Sequence, residues 1–257
     1  SVLLWTRVVG PGELRWEVAT DQGFTDVVRE GTADPDPVRH AAPAEVDGTE
    51  VGGPGGDGQE STCVVTVDGL PPGSTLYYRF RRGDEVSPVG RTRTLPDDDR
   101  PVRLGLACCG DYSAGHFGVY RALADQEVDL VVHLGDYVYA EAHADVREVD
   151  PAHDAVTRAD YDARYLQVRL DPDLQALHLR HPMAAVIDDH DLADNAARDG
   201  AKTHDEAEHG PWAERLAAAL DARAEWVPIR PDGPEGRRAP AQWRAVPLGA
   251  LGELVLL

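Results

Sequence analysis

Lysine is nearly missing from these 257 residues: Lys202 is the only one, and every other basic residue is Arg. Acidic residues outnumber basic ones 46 to 25, giving a formal net charge of −21. Such a charge repels phosphate backbones and argues against stable nucleic-acid binding. An anionic substrate would need a local source of positive charge, such as a metal. Abundant Asp with almost no Lys is a habit of halophiles and of high-GC genomes. Cysteine is scarce too. Cys63, Cys108 and Cys109 fit no disulfide framework, which leaves the redox compartment open. The adjacent pair would strain the backbone as a vicinal disulfide. No apolar run of about 18 residues exists, so a membrane-spanning helix is excluded. HExxH and paired CxxC motifs are missing, which lowers a zinc nuclease or peptidase. No internal repeat is visible, and no leader-like n-region or h-region precedes the apolar residues 2–5. Residues 252–257 end inside an apolar run, so the sequence reads as a fragment, with any signal peptide outside it.

The remaining composition, 42% apolar and 28% charged, is that of a globular protein. It falls into two zones. Residues 1–96 alternate apolar and polar positions over 2–9, 13–19, 62–67 and 76–82, as half-buried strands do. Residues 69–73 (GLPPG) form a turn, and the Gly-rich 47–59 reads as a mobile loop. Short strands at this spacing predict a small, fibronectin-III-like β-sandwich. Residues 97–101 read as a linker. From 102 to 257 strands alternate with helices. Strands are expected at 102–107, covered on both faces, and at 129–134 and 183–187. Helices are expected at 116–126, at 174–179 with Asp171 and Pro172 opening the helix, and at 211–226. This rhythm predicts an α/β domain with right-handed crossovers.

In α/β sheets, ligands collect at the carboxyl ends of strands. Three expected strands end in polar clusters: 107–112 (ACCGDY), 133–139 (HLGDYVY) and 187–191 (IDDHD), the last followed by Asp194 and Asn195. Carboxylates at three strand tips exceed what solvation requires, and two or more divalent or trivalent cations would stabilise them. Such cations could hold a phosphate oxyanion. Each piece also has a plain structural reading. Asp136 could close an Asx turn, Cys109 could be a small buried apolar residue, and Tyr137 and Tyr139 could be packing residues. Cys63 reads as core. His190, flanked by acids, is poorly explained as core. The carboxylates along 141–162 read as a solvated face or an insertion. His116, His143, His153, His178, His181, His204 and His209 lack ligand-like spacing and read as surface or satisfied histidines.

Gly135-Asp136-x-x-Tyr139, followed by Asp188-Asp189-His190-Asp191, resembles the metallophosphoesterase blocks of the PhoD-type alkaline phosphatases. The flanks agree: Ala107-Cys108-Cys109 with Tyr112, residues 129–136 and 171–178, and Glu225-Trp226-Val227-Pro228. Residues 2–8 and 69–80 resemble the same family's N-terminal β-sandwich. The resemblance implies a metallophosphoesterase-like layered sheet domain behind that sandwich. It also implies hydrolysis of phosphate mono- or diesters by attack of a metal-bound hydroxide or oxide. The metals implied are ferric iron and calcium. Cys109 would be a thiolate ligand to iron, Asp136 would bridge the metals, and Tyr139 would bind iron as phenolate. Asp188, Asp189 and Asn195 would supply oxygen ligands to calcium. His190 would protonate the leaving alkoxide or steady the phosphate. Two departures stand out: Ile187 where the family usually has Trp, and Asp191 where it has Glu. The family pattern also continues past residue 257 with a further Asp/His block, which leaves the activity of this fragment in question. The parent is expected to be monomeric and secreted, periplasmic or at the cell surface. The competing reading is a degenerate cell-surface module that binds calcium without turnover.

Overall fold

The computed structural model describes residues 1–10, 12–37, 44–46, 49–51, 60–143, 145–229 and 244–257, with backbone alone at 36–37, 44–46, 49–51 and 60. Alternating sequence in the first third yields antiparallel strands: β1 (Val2–Val9), β2 (Leu14–Ala19), β3 (Val27–Ala33), β4 (Asp36–Pro37), β5 (Ala44–Val46), β6 (Thr49–Val51), β7 (Glu60–Val67), β8 (Thr75–Arg82), β9 (Glu85–Val86) and β10 (Gly90–Arg93). One sheet has the order β1-β7-β4 and a second β10-β8-β2-β3, with β9 on β8 and β5-β6 as a separate pair. Leu4, Cys63, Val65 and Val67 of the first sheet meet Leu14, Val18, Leu76 and Phe80 of the second in one apolar cluster. Burying one face of each alternating strand is what drives these two sheets together. Cys63 is core, as expected, and burial pushes its thiol up to about 11. Of the Gly-rich stretch, residues 47–48 and 52–59 lie outside the described residues.

The second zone contains β11 (Leu104–Ala107), α1 (Gly118–Ala124), β12 (Leu130–His133), α2 (Arg158–Leu170), α3 (Pro172–Arg180), β13 (Met183–Ala185), α4 (Glu206–His209), α5 (Trp212–Trp226), β14 (Arg244–Pro247) and β15 (Glu253–Leu256). Strands β11, β12 and β13 are parallel in that order. Val131 faces the helices, in a cluster with Tyr137, Tyr165, Leu174 and Trp226. Leu130, Val132 and Ala184 face the other way and pack with Leu256 of the β14-β15 hairpin. The two zones touch at α5. Trp5 Nε1 donates to the Glu225 carbonyl at 2.9 Å, Thr62 Oγ1 donates to the Glu225 carboxylate at 3.1 Å, and the Trp5 and Trp226 rings lie 5.8 Å apart.

Two expectations need correction. Strand β11 is not covered on both faces: it lies at the edge of the three-stranded sheet, and Leu106 is 65% exposed. Nor do the carboxylates along 141–162 all lie on a solvated face: Asp145 and Glu148 are exposed, but Glu141 and Asp162 are buried. The end of this stretch is the start of α2, opened by a capping box between Thr157 and Asp160. Asp162 is fully buried, accepting from Arg158 Nε at 2.9 Å and from Trp226 Nε1 at 2.8 Å. A carboxylate can be buried where such donors satisfy it. Those partners lie on a distant helix as well as on its own, so local composition could not reveal them.

Candidate metal centre

Register places the site. Ala107 pairs with His133, and His133 with Ala185, so the three parallel strands end at one level. The loops that leave them stay together: Cys109 N donates to Gly135 O at 3.2 Å, Gly110 N to Asp136 O at 2.8 Å, and Ala140 N to His190 O at 3.0 Å. Gly135 allows the closest approach. Its φ is +105°, and a Cβ there would fall 2.4 Å from the Cβ of Asp188. Beneath the loops, the Asp191 carboxylate is fully buried and accepts four backbone N–H groups. These come from Asp136 and Asp188 to one oxygen, both at 3.0 Å, and from Tyr137 and Val138 to the other, at 3.0 and 3.2 Å. Burial raises the pKa of this carboxyl, opposed by the charge of Arg223 and by the donating N–H groups. Two N–H donors on each oxygen require the ionised form.

Among the described non-glycine residues, four have positive φ, and three of them are Cys109 (55°), Asp136 (52°) and Asn195 (55°). Left-handed backbone is costly for such residues and clusters at functional sites. The conformation turns Cys109 and Asp136 out of the strand ends toward each other. Cys109 Sγ lies 3.5 Å from Asp136 Oδ2, and Tyr139 Oη lies 3.4 Å from the same oxygen. The other carboxylate oxygen accepts the His190 backbone N–H at 3.2 Å. One potential ligand atom from each of Asp136, Asp189 and His190 lies within 4.8 Å of the others. Asp188 turns its carboxylate back to the Asp189 N–H at 2.9 Å, as a cap on the turn at Asp189–Asp191. Asn195 stands further out: its backbone N donates to Asp189 Oδ2 at 2.5 Å and its amide donates to Asp194. Of the residues singled out in the sequence, Cys109, Asp136, Tyr139, Asp189 and His190 thus converge, while Asp188 and Asn195 form the rim.

The electrostatics are those of a site short of positive charge. Desolvation pushes the Cys109 thiol up to about 11, assisted by Cys108 and Asp136. Desolvation likewise raises Tyr139, helped by the charge of Asp136. Asp136 is itself raised, by burial and by Asp191 and Asp188, against the pull of His190. For His190, burial favours the neutral ring, but hydrogen bonding and charge from Glu141 outweigh it and raise the pKa. A thiol, a phenol and a carboxylate that resist ionising together are a donor set that a cation would complete.

Two residues to which sequence reasoning gave no role in the site are part of this construction. Glu141, read as part of a solvated face, is 2% exposed, with Oε2 2.8 Å from His190 Nδ1. Asp191, which the sequence showed as the end of the third polar cluster and as a departure from the family pattern, anchors two of the loops. Tyr137 is indeed a packing residue, buried against Tyr165, with its hydroxyl 2.7 Å from His178 Nε2. His178 pairs with the Tyr137 hydroxyl, and His181 has Nε2 3.0 Å from the Ala124 carbonyl.

Sequence comparison accords with this geometry. The profile of the PhoD-like phosphatase family matches residues 104–257, and that of the PhoD-like phosphatase N-terminal domain matches 56–96. The chain belongs to the PhoD-like phosphatase family. Alkaline phosphatase D of Bacillus subtilis (strain 168) is 33% identical to it over 260 residues, covering 91% of this chain and 41% of that protein. A solved structure titled "Structure of PhoD" shares the fold, with a TM-score of 0.80 at 29% identity over 98% of this chain and 48% of that one. This PhoD-like chain therefore spans less than half the length of the relatives it matches. None of its described helices is long and apolar enough to cross a membrane.

Proposed function

We propose that this PhoD-like chain carries a metal-dependent centre for hydrolysis of phosphate esters. The observation that carries the reading is the convergence of Cys109, Asp136, Tyr139, Asp189 and His190 where three parallel strands end in register. The donor set fits ferric iron and calcium. Cys109, Asp136 and Tyr139 would hold iron, a thiolate being a soft ligand. Asp188, Asp189 and Asn195 would hold calcium through hard oxygens, with Asp136 shared between the ions. When bound, such cations supply positive charge for phosphate oxyanions and lower the pKa of water. The chain's own residues do the rest. Three loops pinned to one another fix where the ester sits, and His190, carrying a proton on both ring nitrogens, would give the one on Nε2 to the leaving alkoxide and be left as the neutral Nδ1–H ring.

In this reading residues 1–96 are a β-sandwich domain, 97–101 a linker, and 102–257 a metallophosphoesterase-like domain. In that domain the β14-β15 hairpin and the helices form layers on opposite faces of the parallel sheet. We place the protein outside the cytoplasm, as a monomer. The test is hydrolysis of 4-nitrophenyl phosphate and bis(4-nitrophenyl) phosphate by protein loaded with ferric iron and calcium. Turnover lost on chelation and in Asp136→Asn supports the reading. Turnover unchanged in that variant overturns it, and calcium binding with no turnover favours the binding module.

A further inference from the structure

We infer that Glu141 is the positioning residue of this site, holding His190 as the Nδ1–H tautomer so that Nε2 is the nitrogen available for proton transfer. Glu141 is buried, and both its oxygens are committed. Oε1 accepts from the Asp194 backbone N–H at 2.5 Å and from Thr203 Oγ1 at 3.1 Å, while Oε2 faces His190 Nδ1 at 2.8 Å. An ionised carboxylate only accepts, so the Nδ1 edge must carry the hydrogen. The face of the imidazole is fixed independently: the His190 and Tyr139 rings stack with centroids 4.4 Å apart and an interplanar angle of 25°. A ring held at one edge and across one face has a single orientation. Its remaining nitrogen, Nε2, has no such partner at Glu141. The carboxylate–imidazole pair has the logic by which a buried acid sets the tautomer of a catalytic histidine.

Glu141 joins segments as well. It ties the loop after β12 to the turn that carries Asp189 and His190, and to the segment that reaches Thr203. Truncating it would therefore loosen structure, and a loss of activity alone would not separate the two roles. The tautomer separates them.

The inference rests on the phosphatase reading only for its kinetic arm. The first arm uses histidine-selective 15N labelling at alkaline pH, with His190 assigned by comparison with His190→Asn, and reads which ring nitrogen carries hydrogen. The wild-type protein should show His190 as Nδ1–H. Thr203→Val, which removes a Glu141 contact but not the one to His190, should keep that signature. Glu141→Gln should lose it. An Nε2–H signature in the wild-type protein overturns the proposal without any variant having to fold. In the kinetic arm, Glu141→Gln should lower kcat at least tenfold with KM within about twofold, and should add little to the loss already present in His190→Asn. Losses that multiply in the double variant overturn the positioning role. Absence of turnover in the metal-loaded wild-type protein counts against the phosphatase reading alone, since the tautomer is read without it.

Discussion

Replacing Asp191 with Asn tests whether the loops of the site are held from below by one charge. The carboxylate accepts two backbone N–H groups on each oxygen, four in all at 3.0–3.2 Å, and it is fully buried. Asn keeps one oxygen. Its amide NH2 would face two N–H donors, leaving both buried without an acceptor. Each orphaned buried donor costs about 1–3 kcal/mol. The buried Arg223, whose charge is drawn to Asp191, also loses its counter-charge. These contributions overlap, and the expected net loss is about 4 kcal/mol. Urea unfolding followed by tryptophan fluorescence measures it, with exposed Asp221→Asn as the control, expected within about 0.5 kcal/mol of wild type. A loss below about 1 kcal/mol for Asp191→Asn would refute the anchoring argument. The loss should also release Asp136 and Asp188, whose backbone N–H groups share one of those oxygens. Affinity for cations should therefore fall along with stability.

Other outcomes follow from the same geometry. Gly135→Ala should destabilise the protein by about 2–4 kcal/mol, because φ is +105° and the new Cβ would meet Asp188 at 2.4 Å. Gly118→Ala, on α1 with open space around it, should be neutral or stabilising by up to about 1 kcal/mol. Thermal melts of the two variants check both. Burial lowers the pKa of His133 from 6.5 to about 4, and its Nε2 pairs with the Tyr120 hydroxyl at 2.8 Å. Because the folded value is depressed, that stability is fully present above pH 6.5 and is lost as pH falls toward 4. It amounts to roughly 3 kcal/mol. Urea midpoints across that range should fall less steeply for His133→Gln, and an unchanged slope would contradict this. Ferric iron added to the protein should give a visible charge-transfer band, diminished in both Tyr139→Phe and Cys109→Ala. A band unaffected by either substitution would remove those residues from the ligand set.

Much of this fold can be read along the chain because it is encoded locally. Strand β1 spans the expected residues 2–9, and α3 starts where Asp171 and Pro172 announce it, with Asp171 Oδ1 accepting from Asp173 N at 2.9 Å. Apolar strands ending in Asp136 and in Asp188-Asp189-His190 point to a site, because strand direction alone determines where such residues go. What stays hidden depends on partners remote in sequence. Asp162 looks solvated until Trp226 is packed against it, and Glu141 looks solvated until the turn at Asp189–Asp191 brings His190 to it. Leu106 looks like core until the sheet order places β11 at the edge. The three left-handed residues of the site carry no local signal, since Cys, Asp and Asn occupy ordinary conformations elsewhere.

The most direct test of the proposed centre is metal content. Protein incubated with ferric iron and calcium and then freed of excess should retain both, while Asp136→Asn, folded as judged by circular dichroism, should lose both. Equal retention by wild type and variant, or no retention by either, would contradict a metal centre at the ends of these strands.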